Sequence, residues 1–204
     1  MRGYDHPVIT SPRVRLVVAS SLMLLLELAL IRWLGSNVLH LSYFSNIVLL
    51  ASFLGIGVGF LRAKKGGTRP TFFMPVLAAL LLVVYLVPVG VERESSDLIF
   101  FTAVNTSGPP PVIVLPVIFT LVAVILAGIG MLVAEPFFDL PRLDAYRYDL
   151  IGSLIGIAAF TLLSFLGAAP IVWGVIVVVL VVALLLPTPR WWVVALGTND
   201  AAYA

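Results

Sequence analysis

The sequence contains no cysteine and only two histidines, at positions 6 and 40. Without cysteine there is no disulfide framework, no thiolate metal site and no cysteine nucleophile. Two isolated histidines do not make a His-based metal centre, so no metal or other cofactor is expected. Charge is equally scarce. Asp, Glu, Lys and Arg make up 11% of the 204 residues, against roughly 25% in a soluble domain. Too few residues lie outside the apolar runs to form a separate soluble domain of about 50 residues or more. There is also no Ser-His-Asp set, P-loop, haem-attachment motif or zinc signature.

What remains is mostly hydrocarbon. Hydrophobic residues account for 61% of the chain and the mean hydropathy is +1.15, which marks a polytopic membrane protein. The expected fold is all-α, a six-helix transmembrane bundle forming one membrane domain over residues 1–204, with spans at about 16–34, 41–61, 72–87, 112–134, 149–166 and 171–186. The first run exceeds the roughly 7 to 15 apolar residues of a signal peptide and no Ala-x-Ala site follows it, so it reads as a retained span. A sequence pI of about 9.2 raises the question of nucleic acid. Yet the formal net charge is only +2 and the basic residues gather at helix ends, which is a topology signal.

That signal is one-sided. If the first loop faces outward, Arg2, Arg13, Arg15, Arg62, Lys64, Lys65, Arg69, Arg142, Arg147 and Arg190 all fall inside, with Arg93 outside and Arg32 in the outer part of the first span. Both termini are then cytoplasmic. A bacterial inner membrane is the expected location and the lipid bilayer the first partner.

Three groups of residues stand out against the apolar background. Glu27 and Arg32 lie inside the first span, where a charge near the bilayer centre costs about 2.5 to 3.5 kcal/mol or more and normally faces protein or a wet cavity. They are five residues apart, about 140° around a helix, which favours partners on the second span over direct pairing. His40, Tyr43 and Asn46 enter from the same side, so Glu27, Arg32, His40, Tyr43 and Asn46 form a candidate binding cluster for a small molecule, a lipid headgroup or a proton. A helix-locking network explains the same residues.

Gly55 and Gly59, and Gly152 and Gly156, are GxxxG pairs, which allow close helix packing in lipid; Ala123, Ala127 and Gly130 give the fourth span a similar small-residue face. Glu135, Asp139, Arg142, Asp144, Arg147 and Asp149 make a mixed-charge belt in what reads as a cytoplasmic loop, suited to docking or mutual pairing. Asp149 is placed to cap the fifth span.

Three blocks carry a family resemblance: Glu27-Leu-Ala-Leu-Ile-Arg32-Trp-Leu-Gly35, the stretch Asn46 to Gly59, and Tyr146-Arg-Tyr-Asp149-Leu-Ile-Gly152-Ser-Leu-Ile-Gly156. Together they resemble the multi-helix membrane region of membrane-bound spermidine synthase-like proteins. In that family, aminopropyl transfer from decarboxylated S-adenosylmethionine belongs to a Rossmann-like domain following the helices. These 204 residues contain no strand followed by a glycine-rich turn and an acid. The resemblance therefore implies a non-catalytic anchor or accessory subunit, with a membrane-protein partner or a second copy of itself; aminopropyl transfer would require a soluble domain beyond this stretch. Six helices with a basic loop after the second also resemble half of a major facilitator transporter, although the loop lacks that family's acid. A transporter or small-molecule binder using the Glu27 cluster is the alternative.

Overall fold

In a computed structural model, residues 11–38, 46–65, 71–86, 90–91, 106–107 and 110–185 are described. They form six helices: α1 (Pro12–Asn37), α2 (Asn46–Lys64), α3 (Phe73–Leu86), α4 (Pro111–Asp139), α5 (Arg142–Phe165) and α6 (Pro170–Leu185). Between α3 and α4, the two-residue strands β1 (Gly90–Val91) and β2 (Thr106–Ser107) pair antiparallel, Gly90 opposite Ser107. The protein is an all-α bundle.

Helices α1, α2, α4 and α5 are long and apolar enough to cross a membrane. The α3 and α6 helices have 14 and 16 residues, about 21 and 24 Å at roughly 1.5 Å per residue, short of a hydrocarbon core of about 30 Å. The expected start of the second span at 41–45, the loop after Gly90–Val91 containing Glu92, Glu94 and Asp97, and the tail from residue 186 lie outside the described residues.

Proline and glycine mark several helix ends. Pro12 and Pro111 occupy first-turn positions of α1 and α4, where a missing N–H costs nothing and the fixed φ suits the helix. The α5–α6 turn closes with two bonds, Ala168 N–H to the Leu163 carbonyl at 2.9 Å and Gly167 N–H to Ser164 at 3.2 Å. This is a Schellman arrangement, and Gly167 supplies its left-handed residue at φ +66°.

Hydropathy places two boundaries differently from the backbone. The loop read at 135–149 is helical except at Leu140 and Pro141: α4 runs on to Asp139 with Pro136 inside it, and α5 begins at Arg142. Asp149 is therefore well inside α5 and caps nothing; Pro141 holds the N-cap position. A helix is kept by its internal hydrogen bonds, which persist where side chains turn polar.

The helices pair out of sequence order. A Cβ built on Gly55 or Gly59 would collide with the Ala123 or Ala127 carbonyl oxygen of α4, while one on Gly152 or Gly156 would press on the Val17 or Ser21 carbonyl oxygen of α1. Both matches advance in the same direction along both helices, so α2 packs parallel to α4 and α1 parallel to α5. In lipid, such close contact supplies the dispersion energy that hydrophobic exclusion cannot. The core gathers where α1 and α4 meet the rest, around Leu22, Leu26, Ile125, Leu126 and Ile129. On α4, Gly128 leaves room for the fully buried Phe73 of α3.

Candidate functional site

Helix α1 has the most buried window of the long apolar helices, 61% against 17% for α5. Glu27 lies three residues past its midpoint, about 15 Å from the Asn37 end at roughly 1.5 Å per residue. It is 6% exposed. Its side chain lies beside that of Ser52 on α2, which is completely buried. The Ser52 hydroxyl also reaches the Val48 carbonyl at 2.9 Å. A serine has one proton to donate, and here it goes to the carbonyl of its own helix.

Arg32 turns elsewhere. Its guanidinium lies over the Trp173 ring of α6, 5.5 Å from the centroid, and it has no ion pair among the described residues. Asn46 is exposed at the start of α2. His40 and Tyr43 lie outside the described residues. Of the five cluster candidates, Glu27 and Arg32 thus have separate neighbours on different helices, and Glu27 lies beside Ser52, which no sequence motif marks.

Two of the belt acids, Glu135 and Asp149, reach the other end of α1. The Arg15 Nη2 donates to Glu135 Oε2 at 2.9 Å, tying α1 to the last turns of α4. The Arg15 Nε is buried without an acceptor. Ser20 donates to Asp149 Oδ1 at 2.5 Å, and Ser21 donates within 2.8 Å of the carbonyls of Val17 and Gly152. Arg13 lies over the Tyr148 ring at 5.8 Å. Arg147 stands 4.0 Å from Asp144, one helical turn away on an exposed face, while Asp139 and Arg142 are exposed. Phe60 of α2 contacts Phe137 and Phe138 of α4 edge-to-face, at centroid distances of 5.9 and 6.2 Å.

No protein-family model, curated protein or solved structure matches the chain.

The acids therefore divide by use. Glu135 and Asp149 each cross to α1 and hold two helices in register; Asp139 faces outward. Among the described residues, no group of three His, Cys, Asp or Glu side chains could hold a metal ion. Arg15 is visible in the sequence only as an orientation charge, and Ser20 and Ser21 belong to no motif there. Their spacing on α1 matches Asp149 and Gly152 on α5, but the match becomes legible only once the two helices are known to pack together.

The Arg15–Glu135 pair gives a direct measure of this end. Arg15→Gln and Glu135→Gln should each lower the unfolding midpoint in detergent, and the double variant should lose less than the sum. The expected coupling is about 1 kcal/mol, the upper range for partly exposed ion pairs. Strict additivity would show that the two charges do not stabilise one another.

Proposed function

We propose that this chain is a non-catalytic membrane anchor or accessory subunit, of the kind found in the membrane region of spermidine synthase-like proteins. The observation that carries the reading is how its polar groups are used: Glu27 meets Ser52, Glu135 meets Arg15 and Asp149 meets Ser20. Each of these acids joins two helices. Such contacts favour one rigid arrangement of helices, the property a scaffold requires.

The surface left over suits a partner. Both glycine pairs are occupied within the bundle, so association falls to other faces. Helix α5 exposes Leu150, Ile151, Leu154, Ile155 and Leu162, and beside the belt Phe138, Leu143 and Tyr146 are exposed. Under this reading the chain has six spans with both termini cytoplasmic, and the belt end of the bundle faces the cytoplasm of a bacterial inner-membrane cell. A soluble catalytic component would approach that end.

Extraction in a mild detergent followed by mass measurement tests the proposal. The 22.0 kDa chain should elute with a second polypeptide or a second copy. Recovery as a lone monomer at native expression level would overturn it. The alternative, a small-molecule binder or transporter, draws on the burial of a carboxyl group in mid-helix at Glu27, since acids inside membrane spans commonly mark substrate or proton sites.

A further inference from the structure

Helices α1, α3 and α6 enclose a groove of about 530 Å³. Leu30 and Trp33 line it from α1, Leu77 from α3, and Trp173, Gly174 and Val178 from α6. Its walls are apolar, but a cation stands over one of the lining residues, Trp173. Trp173 is 5% exposed, and its indole N–H is buried without an acceptor. Above the same ring sits the exposed Arg32 guanidinium, a cation with no acid partner among the described residues.

We propose that this groove is a binding site for one anionic phospholipid, with an acyl chain lying along α6 and the phosphate held by Arg32. The chemistry matches at both ends. An exposed cation with no acid partner among the described residues calls for an anion, which an acyl chain alone does not provide. The rest of the groove offers only carbon, which a soluble anion would not fill. The α6 wall runs from Pro170 to Val179, about 14 Å at roughly 1.5 Å per residue, so a chain can follow it from the headgroup level into the hydrocarbon. Arg32 lies five residues from the Asn37 end of α1 and can extend its guanidinium toward the phosphate layer, as long basic side chains do. This proposal is independent of the anchor reading, because it uses neither Glu27 nor the belt.

Gly174 provides the probe. A Cβ built there meets no atom within 4 Å, so Gly174→Leu fills the groove without pressing on backbone. Purified protein in mild detergent is titrated with phosphatidylglycerol brominated on its acyl chain, and quenching of tryptophan emission is read. Phosphatidylcholine with the same brominated chain serves as the comparison. The wild-type chain should show a saturable phase at about fivefold lower phosphatidylglycerol concentration, the weight of one basic side chain on an anionic headgroup. Arg32→Gln should erase the headgroup preference, and Gly174→Leu should remove the saturable phase with both lipids. Unchanged quenching in Gly174→Leu, or equal affinity of the wild type for the two headgroups, would overturn the proposal. Should Gly174→Leu fail to elute as a folded species, the Arg32→Gln comparison decides alone.

Discussion

Leucine at Gly55 or Gly59 is expected to destabilise the bundle severely, while leucine at Gly57, two residues from each, is expected to be tolerated. The three glycines share one helix and one sequence context, so propensity is nearly constant across them. What differs is the space their Cβ atoms would enter. At Gly55 and Gly59 it is occupied by carbonyl oxygens of Ala123 and Ala127, backbone atoms that cannot rotate aside; at Gly57 nothing lies within 4 Å. Overpacking commonly costs about 1 to 3 kcal/mol, and contact with backbone puts these sites at the upper end. Removing a helix-interior glycine gains up to about 1 kcal/mol in propensity, which is the expected direction for Gly57→Ala. Thermal unfolding followed by the monodisperse fraction after detergent extraction separates the cases. Equal loss at all three positions would mean that α2 and α4 do not meet along this line.

The second large effect is expected at Glu27. Glu27→Lys places a cation against Ser52 and the surrounding leucines with no acid within the described packing. A charge near the middle of a span costs about 3 kcal/mol or more, and the variant should fail to accumulate as folded protein. Glu27→Gln keeps the length and the hydrogen-bonding capacity toward Ser52, so its stability should stay within about 1 kcal/mol of the parent. This second variant distinguishes the two functional readings. An anchor retains its partner with glutamine at position 27. A binder or transporter folds, keeps its expression level and loses ligand uptake or binding. Loss of folding in Glu27→Gln would contradict the modest role assigned to the carboxyl's charge.

The sequence makes the class of fold plain because membrane insertion is governed by a coarse quantity. Long apolar runs broken by basic loops can be read without knowing which helices touch. The two GxxxG pairs announce that close packing occurs at Gly55 and Gly59 and at Gly152 and Gly156, but they do not name the opposing helix. In a soluble bundle, an apolar stripe against a polar face would narrow the choice; here both faces of every span are apolar. The pairing of α1 with α5 rests on Val17, Ser20 and Ser21, whose smallness is unremarkable until Gly152 and Gly156 sit against them. Boundaries are obscured for a related reason. Glu135 ends an apolar run but not a helix: the backbone continues to Asp139, and Glu135 meets Arg15 of another helix.

The candidate site shows the same division. Glu27 is conspicuous on its own, as an acid among leucines. Ser52 is not, since a serine in a span ordinarily satisfies itself on its own backbone, as Ser52 also does toward Val48. The angular separation of Glu27 and Arg32 is legible in the sequence, but not that Arg32 turns to Trp173 of α6 while Glu27 lies beside Ser52.

The parallel seating of α1 on α5 also sets an order of events during synthesis. Ser21 donates to the carbonyl of Gly152, a residue 131 positions further along the chain. When α1 first enters the bilayer, the surface formed by Val17, Ser20 and Ser21 has no native neighbour, and it keeps none until four further helices have emerged. A serine hydroxyl can bond back to its own helix in the interval, as Ser21 does to Val17, whereas the ion pair at Arg15 must wait for Glu135. The earliest of the described helices is therefore among the last of them to be completed, and the insertion machinery or neighbouring lipid has to shelter it while the helices between are made.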